Sequence, residues 1–141
     1  MFDQVVSLVK EHLNNHPEIT QAVPAGQQEQ VHEEVARQIT QGMAQEAPSQ
    51  GGIGGVLSQL QHAAGSGSPL TGAISGGIVS ALGNKLGLPP AATGAIAGAL
   101  PGLLQKLASK ANDPNDSSIT PDGLGGMLGG LGDKLGGLFG K

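Results

Sequence analysis

Apolar residues open the chain at helical spacing. Phe2, Val5, Val6, Val9 and Leu13 fall on a single face of an α-helix, and Asn14-Asn15-His16-Pro17 stops the pattern. Pro17 suits the first position of a short second helix, where its missing N–H is no loss. Pro24-Ala25-Gly26 reads as a turn. Val31, Val35 and Ile39 form the stripe of a third helix from about Gln27 to Met43, with Glu33 and Arg37 in the favourable i, i+4 order on its surface.

Ala47-Pro48-Ser49-Gln50-Gly51-Gly52 has the composition of a linker, and a short helix carrying Ile53, Val56, Leu57 and Leu60 follows it. After Gly65-Ser66-Gly67, Ser68 suits an N-cap and Pro69 the first residue of a helix that runs to Lys85 with Leu70, Ile74, Ile78, Val79 and Leu82. Gly87-Leu88-Pro89 turns the chain. A further helix spans Pro90 to Leu100, and Pro101 starts or kinks a third that carries Leu103, Leu104 and Leu107 to about Ala111. In the tail, Leu124, Met127, Leu128, Leu131, Leu135, Leu138 and Phe139 share one helical face. The pattern predicts an all-α, multihelical protein. Its expected parts are an N-terminal helical unit (1–46), a flexible linker with a short helix (47–68), a compact Gly/Ala-rich central domain (69–112), and a loop with a Gly/Leu-rich tail (113–141).

Composition changes this picture in one respect. The 141 residues include 25 Gly and 9 Pro but only two aromatics, Phe2 and Phe139, so burial falls to Leu, Ile, Val and Ala. Eight glycines lie between Gly72 and Gly102. Each costs about 0.5–1 kcal/mol against Ala inside a helix, so a compensating role is expected. Gly72 and Gly76, and Gly94, Gly98 and Gly102, recur every four residues, which marks them as helix-packing positions where two backbones approach. In the tail, nine of the nineteen residues from Gly123 to Lys141 are Gly, so this segment is expected to be helical only when its apolar face is covered. Gly54–Leu60 and Gly76–Leu82 echo one another, as do Gly76–Gly87 and Gly125–Gly136, without a constant period.

Charge and chemistry narrow the function classes. Seven acids against Lys10 and Arg37 make the first 46 residues acidic, whereas Lys85, Lys106 and Lys110 meet no acid over 47–112. No basic stripe for nucleic acid follows from this. The absence of cysteine removes disulfides and thiolate chemistry. Residues 1–10 lack the basic start of a secretory signal, which makes a cytoplasmic location the expectation. The nineteen uncharged residues from Leu86 to Leu104 reach the length of a membrane span, but Pro89, Pro90 and Pro101 interrupt them, and a buried helix pair is the better reading.

Three further motifs bear on function. Leu82 to Ala97 has a helix-turn-helix outline, yet Ala91 to Leu100 offers only Thr93 to reach a base or phosphate. His12 and His16, four apart, could share a metal, but Pro17 disrupts the turn and solvated histidines are favoured. Asp113, Asn115 and Ser117 alternate like the opening of a calcium loop, but Ser118 and Leu124 stand where Gly and Glu are needed, so an Asx-type turn fits better, with Thr120-Pro121-Asp122 as a new cap. No catalytic constellation, phosphate loop, metal site or cofactor site emerges, and a non-enzymatic protein is expected.

Leu82-Gly83-Asn84-Lys85-Leu86-Gly87-Leu88, then a small-residue helix, Leu100-Pro101-Gly102-Leu103-Leu104 and the Asp113-Pro114-Asn115 loop, resembles the YidB-like bacterial family, or domain of unknown function 937. The resemblance covers roughly residues 69–122. It implies an all-α fold in a bacterial protein and carries neither an accepted activity nor catalytic residues. The expected role is a helix-mediated interaction or self-assembly module whose partner is a protein or a second copy. The alternatives are a membrane-associated protein using the glycine-zipper segment or tail and, less favoured, a DNA-binding regulator.

Overall fold

The computed structural model of the protein describes residues 2–62 and 69–113, with positions 115, 120, 123 and 126 beyond them. It is all-helical, with no strand among the described residues. The helices are α1 (Phe2–Asn14), α2 (Pro17–Ala22), α3 (Gln28–Glu46), α4 (Ile53–His62), α5 (Pro69–Lys85) and α6 (Pro90–Ala111), with 3₁₀ turns at Ala25–Gln27 and Ala47–Gln50. The tail residues Leu124, Met127, Leu128, Leu131, Leu135, Leu138 and Phe139 lie outside the described residues.

Each helix contributes the face that its periodicity marks. Val5, Leu8, Val9 and Leu13 are buried on α1, and Val31, Val35, Ala36, Ile39 and Met43 on α3. Ile74, Ile78 and Leu82 line α5, and Ile96, Leu100, Leu103, Leu104 and Leu107 line α6. These residues form one hydrophobic cluster. The N-terminal helices and the Gly/Ala-rich pair therefore share a core: α1 packs on α3 and α6, and α3 on α5. The segment expected to be a flexible linker also enters it. Val56, Leu57 and Leu60 of α4 are at most 1% exposed, and α4 lies along α6. Burying three such side chains is worth about 1.5–3 kcal/mol each, enough to order a stretch whose Gly and Ser favour freedom.

Pro101 does not divide the last helix. Pro90–Ala111 is continuous, with Pro101 inside it. A mid-helix proline removes one hydrogen bond and costs about 3 kcal/mol. Leu100, Leu103, Leu104 and Leu107, all at most 1% exposed around it, return more than that through burial. Between α5 and α6, Gly87 takes φ of 65°, a left-handed conformation that glycine adopts without strain, and Leu88 N–H reaches back to the Leu82 carbonyl at 3.3 Å.

Close helix approach occurs where periodicity did not place it. A Cβ added at Gly42 of α3 would lie 2.5 Å from Ile74 Cγ1 of α5, and one at Gly77 would lie 3.2 Å from Gln38 Oε1. Gly42 is a single glycine in a helix rich in Gln and Glu, so no repeat announces it.

The two kinds of helical glycine predict opposite substitution effects. Gly42→Ala should destabilise the protein by about 1–3 kcal/mol, because the branched end of Ile74 has to move. Gly76→Ala, where the methyl meets nothing within 4 Å among the described residues, should stabilise it by about 0.5–1 kcal/mol. Urea denaturation followed by circular dichroism reads both. Equal shifts of one sign would contradict the assignment of Gly42 to the close crossing.

Candidate functional site: an uncharged small-residue face beside a buried glutamate

Gly72 and Gly76 on α5, and Gly94, Gly98 and Gly102 on α6, all sit at exposed positions. A Cβ at any of the first four would meet nothing within 4 Å among the described residues. Among the described residues, Gly72, Gly76, Gly94 and Gly98 thus make no close approach to another helix of the chain, where the repeat led us to expect one. The reason is their register. Gly72 and Gly76 stand two residues from Ile74 and Ile78, and Gly94, Gly98 and Gly102 stand two residues from Ile96, Leu100 and Leu104. Two residues turn the helix by about 200°. The large side chains take the core because their burial is favourable, and the glycines are carried to the outside. Only Gly102 has a neighbour: a Cβ there would touch the His12 ring at 3.4 Å.

The exposed residues of α5 include Gly72, Ala73, Gly76, Ser80 and Gly83, with no charge before Lys85. On α6 the corresponding surface is Ala91, Gly94 and Gly98. A helix that is apolar or small around its whole circumference is normally covered on all sides, whereas α5, packed on α3 and α6, leaves one side exposed. Along its border with α3 runs a groove of about 250 Å³, where Gln38, Gln41 and Gln45 face Ala73 and Gly77. The α5 face itself is thus uncharged and smooth, and its border with α3 carries these amides together with the Glu46 carboxylate.

Beneath this edge lies Glu34, whose side chain is 8% exposed. Its Oε1 accepts from Lys85 Nζ at 3.2 Å and from Gln38 Nε2 at 3.0 Å, and its Oε2 accepts from Arg37 at 3.1 Å. Arg37 thus pairs with Glu34, and no ion pair forms to Glu33, its expected partner four residues back. Burial pushes the Glu34 carboxyl up, but the bonds from Gln38 and Lys85 and the charges of Lys85 and Arg37 together outweigh it and hold the group below its ordinary value. This contact ties α3 to the end of α5. Nearby, Gln27 Nε2 donates to the Leu86 carbonyl at 3.0 Å.

At the other end of the core, His12 Nε2 donates to the Ala99 carbonyl of α6 at 3.1 Å, which fixes the proton on that nitrogen in the neutral ring. The His16 ring meets it edge-on at 5.0 Å between centroids, and His16 Nδ1 lies 3.3 Å from Glu18. Burial lowers the His12 pKa, opposed by the bond to Ala99 and assisted by the His16 and Lys106 charges. Among the described residues no cluster of three or more His, Asp or Glu side chains is placed to hold a metal. Thr93, the polar residue of the helix-turn-helix outline, is buried and donates to the Pro90 carbonyl at 3.2 Å. Asn115 N–H bonds Asp113 Oδ1 at 2.9 Å, and Gly123 N–H bonds Thr120 Oγ1 at 3.0 Å, so the expected Asx turn and the cap after it both form.

These groups set a pH dependence. His12 and His32 both titrate below their ordinary value of 6.5 when folded, so the unfolded chain binds more protons in the interval below 6.5 and stability falls as the pH falls through it. Glu34 contributes stability that is present above its ordinary value of 4.5 and lost as the pH drops through its lowered folded value. Urea midpoints measured from pH 8 to pH 3 should decline in these two steps, and Glu34→Gln should remove the lower one. A midpoint that rises between pH 7 and pH 5 would contradict the histidine assignment.

No helix among the described residues is long and apolar enough to cross a membrane. No protein-family model, curated protein or solved structure matches the chain, so what the protein is must be read from its own all-α geometry and this face.

Proposed function

We propose that this protein is a non-enzymatic, cytoplasmic helix-mediated interaction module that self-assembles through the exposed small-residue face of α5 and α6. The observation that carries the reading is the pairing of an uncharged surface with glycines that pack against nothing among the described residues of the chain. Helical glycine is costly in isolation. A face of Gly72, Ala73, Gly76 and Ser80 lets the helix of a second copy approach closely, and Gln38, Gln41 and Gln45 beside it supply amide hydrogen bonds at the rim. The tail, with Leu124, Met127, Leu128, Leu131, Leu135, Leu138 and Phe139 on one helical face, is a second element suited to a partner's groove. Kinship with the YidB-like bacterial family is part of this proposal and rests on the Leu82–Leu88 and Leu100–Leu104 motifs.

Size-exclusion chromatography with light scattering should give a mass above the 14.0 kDa of one chain that increases with concentration. Gly76→Arg should return it to the monomer with the helical signal unchanged. A wild-type monomer throughout the high micromolar range would sink self-assembly. The same uncharged face motivates a membrane surface as the alternative partner, and protein left at the bottom of a liposome flotation gradient would remove that reading.

A further inference from the structure

A second cleft, of about 270 Å³, opens between α1 and α3, remote in sequence from the glycine face. Asp3, Ser7 and Lys10 line it from α1 at i, i+4 and i+7, and Glu29, His32 and Glu33 line it from α3. Its volume lies just under the roughly 300–1,000 Å³ of drug-sized sites and suits a compact ligand. His32 is 5% exposed, and its ring makes no hydrogen bond to any described residue. Among the described residues Gln59 Oε1 is the buried polar side-chain atom without a partner, so the His32 nitrogens are not sealed in the core but open to the cleft. Lys10 and the three carboxylates of Asp3, Glu29 and Glu33 face the same cleft, and none of the four forms an ion pair among the described residues. Charges of both signs thus share a small space with a buried imidazole and do not neutralise one another.

We propose that this cleft binds a small zwitterion carrying an ammonium and a carboxylate group: a free α-amino acid, with a basic side chain preferred over an acidic one. The ligand carboxylate accepts from the Lys10 ammonium, and its α-ammonium donates to the carboxylates of Asp3, Glu29 and Glu33. With three acids to one base in the cleft, a second cation on the ligand side chain lowers the residual negative charge, whereas an acidic side chain adds to it. His32, kept neutral by burial and by the Lys10 charge against the pull of Glu29, offers one donor and one acceptor nitrogen to the ligand. No part of this reading depends on self-assembly through α5 and α6.

The test is an NMR titration of the full-length protein with L-lysine, L-glutamate and the diamine cadaverine, observing the ring signals of the four histidines. The His32 signal is assigned by its loss in His32→Gln. L-lysine should shift the His32 signal saturably and leave those of His12 and His16 in place. L-glutamate should bind at least tenfold more weakly. Lys10→Met, at an exposed position, should weaken L-lysine about tenfold, the equivalent of one charge-assisted hydrogen bond. The proposal is overturned by drift that does not saturate, by equal affinity for L-lysine and L-glutamate, or by affinity that ignores Lys10→Met. Cadaverine binding as tightly as L-lysine would also overturn it, because a diamine has nothing to give Lys10.

Discussion

The distance between α3 and α5 is set by an atom that is missing. With no Cβ at Gly42, Ile74 rests directly on the α3 backbone, where a methyl group would stand 2.5 Å from its Cγ1. That approach brings the two helices into contact along their length, seats Ile78 and Leu82 in the core, and carries Lys85 at the end of α5 to Glu34. The ion pair alone is a weak tie, because Lys85 is 55% exposed and water screens it. It follows the crossing and does not cause it. The aliphatic burial that Gly42 permits is the larger quantity, and the positions of α4 and α6 depend on the same cluster.

What could be read from the chain follows from which interactions are local. The limits of α5, Pro69–Lys85, are legible because Pro69 and Gly87 act within a residue or two of themselves. Those of α6 are not, because a proline inside a helix is decided by what its neighbours bury, and Leu100 to Leu107 bury fully. The glycine repeat is visible along the chain, and its direction is set by register. Its offset of two residues from Ile74, Ile78, Ile96 and Leu100 already placed Gly72, Gly76, Gly94 and Gly98 opposite the core. Gly42 carried no signal, since one glycine has no period. The partner of Arg37 also depended on the fold: Glu33 and Glu34 look alike along the chain, and only Glu34 meets Lys85, 51 residues away.

Glycine therefore does two different things here, and side-chain size on the opposite face separates them. Where the helix turns its glycine inward, at Gly42, the absence of Cβ is occupied by a neighbour. Where Ile or Leu claims the inside, as on α5 and α6, the glycine surfaces and its helix cost finds no return within the described chain. The self-assembly proposed above would offset that cost by a contact with a second copy.

The same logic of opposite faces governs the two buried titratable residues of α3. His32 and Glu34 are two positions apart and so point to different sides of one helix. Glu34 turns toward α5 and Gln38 and has each oxygen bonded. His32 turns toward α1 and is bonded to none of the described residues, although it is equally buried. The His32 nitrogens are nevertheless not sealed off, since Gln59 Oε1 is the buried polar side-chain atom left without a partner among the described residues. Water in the cleft, or a small polar molecule that replaces it, completes the hydrogen bonding of the ring. The acids and the lysine around the cleft indicate the kind of molecule that would do so. Thus α3 has a face that closes the fold through Glu34 and a face that stays chemically open through His32.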